Sequence, residues 1–177
     1  MVGLLMIFTL LAGAGELATR PQILTPQTAE QNRVRPEPGL TSTAGTHCRR
    51  GEQVIYSCDF TGERVSVCRD DALVLYRFGP KGRPEIELGR ETPPVRSNLR
   101  GSESSEMRVR FASGAYSYSI YDADLGQARG RESGVRVWRD GNFLTEHRCR
   151  KHGPLQRLHE RRVQDLARDT DARYDAW

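Results

Sequence analysis

Val135-Arg136-Val137-Trp138-Arg139-Asp140-Gly141-Asn142-Phe143-Leu144-Thr145-Glu146-His147 is the stretch that decides the fold class. Two β-prone runs flank Asp140-Gly141, a pair that tolerates the positive φ angles of a tight hairpin turn. The same grammar repeats upstream. Gln53-Val54-Ile55-Tyr56-Ser57-Cys58 and Arg64-Val65-Ser66-Val67-Cys68 are joined across Thr61-Gly62, and Ala72-Leu73-Val74-Leu75-Tyr76-Arg77-Phe78 ends at Gly79-Pro80. Pro84 then opens a short Glu85-Ile86-Glu87-Leu88 strand, since a proline is tolerated at a strand's first position. Met107-Arg108-Val109-Arg110-Phe111 and Tyr116-Ser117-Tyr118-Ser119-Ile120-Tyr121 form a further hairpin over residues 112–115. Within its second strand, Tyr116, Tyr118 and Ile120 share one face, and Ser117, Ser119 and Tyr121 the other.

About eight strands result. They predict an all-β fold, a small antiparallel barrel or sandwich. Residues 89–105, with Pro93-Pro94 among Ser, Arg and Glu, read as a long exposed loop.

Outside the strands the composition changes. Residues 4–15 are an apolar run too short to span a membrane, closed by the small-residue pattern Ala12-Gly13-Ala14, so residues 1–14 read as a cleaved signal peptide. The segment before the run carries no Lys or Arg, which keeps an upstream start or an uncleaved anchor as the alternative. Residues 15–46, with Pro21, Pro26, Pro36 and Pro38, read as a solvated, disordered linker. The β domain occupies 47–150. Residues 151–177 form a charged tail, helical or partly disordered, in which Leu155, Leu158, Val163 and Leu166 roughly follow helical spacing.

The chain of 177 residues carries 27 basic and 23 acidic side chains, for a net charge of +4. Lys81 and Lys151 are its lysines, leaving 25 of the 27 as arginine. Interleaved acids argue against nucleic acid as a partner, because a phosphate backbone is met by a concentrated basic surface. No stable membrane span is expected after signal cleavage.

Four cysteines, Cys48, Cys58, Cys68 and Cys149, fall in the β region, and in an exported chain that number reads as two disulfides. Spacing does not fix the connectivity. A turn at Thr61-Gly62 sets Cys68 opposite Ile55 and Cys58 opposite Val65, which disfavours Cys58–Cys68 and leans toward Cys48–Cys68 with Cys58–Cys149. Zinc would draw on Cys58, Cys68 and Cys149 with His47 or His147, but no close cysteine pair supports it, and the expectation is no metal and no cofactor. Asp122-Ala123-Asp124 lacks the distal ligands of a calcium loop and reads as a polar hairpin end. His47, His147, His152 and His159 lie at or beyond the margins of the core. Glu85 and Glu87 share a strand face, yet acids on an edge strand usually protect it from further pairing. No catalytic residue is expected.

The segments Gly51-Glu52-Gln53-Val54-Ile55-Tyr56-Ser57-Cys58, Val65-Ser66-Val67-Cys68, Leu75-Tyr76-Arg77-Phe78-Gly79 and Gly114-Ala115-Tyr116-Ser117-Tyr118-Ser119-Ile120-Tyr121 resemble a family of small exported bacterial β proteins of uncharacterised function. With Gly134-Val135-Arg136-Val137 and Cys149 the resemblance covers residues 48–149. It implies export and a β domain. A looser likeness is to periplasmic inhibitors of C-type and invertebrate-type lysozymes, small disulfide-bearing β-barrels that insert a Ser-Gly loop into the enzyme's cleft. Ser113-Gly114-Ala115-Tyr116 has one residue fewer between Gly and Tyr than the Ser-Gly-x-x-Tyr motif of some such inhibitors, and no matching Lys-Gly loop is evident.

The expected function is that of an exported envelope binding protein, periplasmic or secreted, with a protein or cell-wall glycan ligand. Inhibition of a lysozyme-like hydrolase is its specific form, and an envelope enzyme acting on cell-wall material is the alternative. Loops on a rigid β scaffold carry recognition, which makes Ser113, Gly114 and Tyr116 at the 112–115 tip, with loop 89–105, the binding candidates. Gly114 is equally explained by the turn's need for positive φ. Arg77 is either solvated, with Tyr76 or Phe78 in the core, or a buried anchor forked onto Glu85 or Glu87.

Overall fold

Valine, isoleucine and tyrosine at alternate positions of Gln53–Asp59 (β1), Glu63–Asp70 (β2), Leu73–Pro80 (β3) and Ile86–Leu88 (β4) build one sheet, antiparallel throughout, in the order β1-β2-β3-β4. Val95–Arg100 (β5), Ser105–Ser113 (β6), Tyr116–Asp124 (β7), Arg131–Arg139 (β8) and Asn142–Arg148 (β9) build a second, β5-β6-β7-β8-β9, also antiparallel. The computed structural model describes residues 45–151 and 153–174. The stretch read as a signal peptide and nearly all of the one read as a linker, residues 1–44, lie outside the described residues, as does His152.

The two sheets pack face to face as a sandwich and do not close into a barrel. Register explains the core. Tyr56, Val67, Tyr76 and Leu88 stand opposite one another across the first sheet, and Val109, Ile120 and Val135 across the second. All seven are buried in one apolar cluster. The side-chain period of two sends the intervening row, Ser57, Ser66, Arg77 and Glu87, to the outer face of the first sheet. Residues 45–52 cover that row and bury Thr46, His47 and Cys48.

Cys48 is bonded to Cys68 and Cys58 to Cys149, and no described cysteine is free. Cys58 does face Val65, but a bulge between Val54 and Tyr56 puts Val54, not Ile55, opposite Cys68. Two disulfides fit an oxidising extracellular compartment. No helix among the described residues is long and apolar enough to cross a membrane.

Two expectations change. Within the stretch read as an exposed loop, residues 95–100 are an edge strand, making nine strands instead of eight. Beyond residue 153 there is no α-helix among the described residues, only the 3₁₀ turns Pro154–Gln156, Glu160–Arg162 and Ala172–Tyr174. The intervals between Leu155, Leu158, Val163 and Leu166 are three, five and three residues, so no single helical face collects them. The tail instead runs as a strap across the open side of the sandwich, inserting Leu158 and Val163 into the core. Its backbone needs find partners on sheet edges: Arg96 N–H donates to the Ala167 carbonyl at 2.9 Å, and Asp169 N–H to the Arg96 carbonyl at 2.7 Å. Arg162 donates to the Val54 carbonyl on the facing sheet at 3.0 Å.

Candidate functional site

Arg77 is fully buried. Its guanidinium forks onto Glu52, Nη1 to Oε2 at 2.5 Å and Nη2 to Oε1 at 2.7 Å. Nε donates to Glu87 Oε2 at 2.6 Å, and Nη1 also reaches the His47 carbonyl at 3.2 Å. Two carboxylates thus meet one cation, and nearly every donor of the buried guanidinium is engaged. Glu85 is not a partner; it turns outward to Arg83.

The geometry holds the acids ionised. Burial raises the carboxyl pKa of Glu52, but hydrogen bonds from Arg77 and from Arg49 N–H outweigh it and leave it below the ordinary value. For Glu87 burial is likewise overcome, by Arg77 and Arg90. A carboxylate kept charged by two guanidiniums accepts hydrogen bonds and is a poor general acid near neutral pH. His47 behaves oppositely: burial lowers its pKa, the hydrogen bond to the Gly79 carbonyl opposes this, and the charges of Arg64 and Arg77 add to the lowering.

Glu87 also faces outward along β4. Its Oε1 accepts from Arg90 Nε at 2.6 Å, which links the buried cluster to a cleft of about 140 Å³. One wall of this cleft is Gly89 to Thr92 on the β4–β5 connection, and the other is Ala112, Ser113 and Gly114 at the end of β6. Gly89 lets the wall turn there: its φ is +105°, and a Cβ would stand 2.2 Å from the Val74 carbonyl oxygen. Gly114, with φ +57°, has open space where a Cβ would be, so its glycine answers to the turn's backbone and leaves the tip unobstructed.

Tyr116 begins β7 beside this tip and is 36% exposed. Its ring stacks on Tyr118 at 6.5 Å, and the Arg139 guanidinium lies over the ring at 5.7 Å. Tyr118 rests on Tyr76 at 5.5 Å, so the tip is backed by a ladder of rings continuous with the core.

The sequence-derived candidates therefore converge. Ser113 and Gly114 line the cleft, Tyr116 flanks it, and Arg77 supports it through Glu87. Arg90 and Thr92 belong to the loop 89–105 expected as a contact, whereas Glu52 was not anticipated. Glu52 carries a signal in retrospect, as the acid of the quoted Gly51-Glu52 segment beside an Arg-bearing strand. Asp122, read as a hairpin end, is instead a buried strand residue that pairs with Arg131 and accepts the Leu158 N–H. The Glu52 carboxylate lies close to Cys48 and Cys68, but both sulfurs are committed to their disulfide.

No family model, curated protein or solved structure matches this chain.

Proposed function

We propose that the protein is an exported binding protein of the cell envelope, periplasmic or secreted, that recognises a protein or cell-wall glycan through the cleft between loop 89–92 and the 112–115 tip. Inhibition of a lysozyme-like hydrolase is the specific form of this reading. The observation that carries it is the joining of a narrow tip of small residues to a rigid support: Arg90 is tied to Glu87, Glu87 to Arg77, and Tyr116 to the tyrosine ladder. Preorganised loops lose little conformational freedom when they bind. The resemblance to exported β proteins and to lysozyme inhibitors supports the same reading, and so do the two disulfides. Glu87 is held ionised between two arginines, which argues against it as the general acid that the enzymatic alternative would need.

The test is affinity capture from a periplasmic extract, with a lysozyme and a peptidoglycan pull-down beside it, using wild type and Ser113→Tyr. A tyrosine at 113 fills the cleft while the exposed tip keeps its fold. Wild type should retain a partner that the variant loses. Equal retention by both would overturn the assignment of the cleft.

A further inference from the structure

At the opposite end of β6, about 27 Å from the tip for nine residues of strand, the sandwich has a second opening. The strap does not fill the mouth over the ends of β5, β6 and β7, and a cavity of about 310 Å³ remains, within the size range of small-ligand sites. Buried Met107 and Leu158 give it an apolar floor. Asp122 also reaches it, but that carboxylate already accepts from Arg131 at 3.0 Å on each oxygen and from Leu158 N–H at 3.0 Å. Its charge is compensated in place.

Two guanidiniums at this mouth have no ion-pair partner among the described residues, although the exposed carboxylate of Glu160, 4.0 Å from Arg96, also lines the cavity. Arg100 comes from β5 and Arg157 from the strap, so they line the cavity from different elements. Both are exposed. An adjoining cavity of about 330 Å³ shares Asn98 and Arg100 and extends to Arg168, which also lacks an acidic partner among the described residues.

The geometry points to a binding site for a phosphorylated saccharide in this mouth, with Arg100 and Arg157 gripping the phosphate. A phosphate presents three terminal oxygens with charge spread over them, enough to accept from both guanidiniums at once. The side-chain amide of Asn98 supplies a donor and an acceptor for sugar hydroxyls, and Met107 and Leu158 offer a surface for the ring's C–H face. This site is separate from the cleft at the tip and does not depend on what that cleft binds.

The experiment is calorimetric titration of the full exported chain with a hexose 6-phosphate, the unphosphorylated hexose, inorganic phosphate and a short oligothymidylate. The hexose phosphate should bind saturably, with Kd below about 1 mM, and more tightly than either inorganic phosphate or the hexose. Arg100→Gln and Arg157→Gln should each weaken it about tenfold or more without lowering the ligand-free Tm. Arg50→Gln, which removes an exposed charge elsewhere, and Ser113→Tyr should bind as wild type does. Absence of saturable binding, full affinity in both cavity variants, or equal loss in Arg50→Gln would overturn the site. Oligothymidylate or inorganic phosphate binding as tightly as the hexose phosphate would overturn its saccharide specificity.

Discussion

Arg77 is held by three acceptor groups from three places in the chain, and lysine cannot reproduce its fork. Arg77→Lys should therefore lower stability by about 2 kcal/mol or more, read by urea unfolding at pH 7. A change within about 0.5 kcal/mol is what a solvated arginine would give. The same cluster sets the response to acid. His47 has a depressed pKa when folded, so below the ordinary value of 6.5 the unfolded chain takes up a proton that the native state refuses, and stability falls as pH falls. Glu52 and Glu87 add a second loss beginning at their unfolded value of 4.5 and completed as pH drops through their lowered folded values. His47→Asn should abolish the first stage and leave the second, as followed by Tm between pH 2 and pH 8. Alternation in β3 already separates Tyr76 and Phe78 from Arg77, so the outward direction of the arginine is legible from sequence. Its burial is not, because the cover comes from residues 45–52, a segment with no strand or helix pattern of its own.

Among the elements, β5 and the strap were the hardest to read, for a common reason: each relies on the other. Val95-Arg96-Ser97-Asn98-Leu99-Arg100 has two apolar residues, and its inward positions are Arg96, Asn98 and Arg100, opposite in kind to a core strand. It pairs with β6 on one side and reaches the strap on the other through the Arg96–Arg168 bridge. Arg110 adds a fork onto Asp169 of the strap at 2.6 and 2.7 Å. The strap contributes Leu158 and Val163 to the core cluster, with Leu166 packed against it and Tyr174 buried on Trp138. Leu158→Ala should cost about 2–4 kcal/mol, a penalty that a solvated helix would not show; urea unfolding distinguishes the two. The hairpins, by contrast, are local objects whose turn and strands lie within a few residues, and their signals survive in the bare sequence.

At the scale of the whole molecule, two sheets and two disulfides make one scaffold. Cys58–Cys149 spans 91 residues and ties β1 to the end of β9, whereas Cys48–Cys68 spans 20 and fastens the cover over Arg77. In the chain-entropy picture the longer closure stabilises by about 4–5 kcal/mol and the shorter by about 3. Cys58→Ser with Cys149→Ser should accordingly destabilise more than Cys48→Ser with Cys68→Ser, checked by urea unfolding of each pair. The all-β class and the even cysteine count were visible in the sequence; the choice of sandwich over barrel was not, since it depends on which strand edges meet in space. That arrangement sets the 112–115 tip against loop 89–92, and the recognition proposed for their cleft is tested most directly by titrating a C-type and an invertebrate-type lysozyme with wild type and Ser113→Tyr. Wild type should inhibit at least one of them at micromolar concentration while the variant does not; no inhibition by wild type, or equal inhibition by the variant, would contradict it.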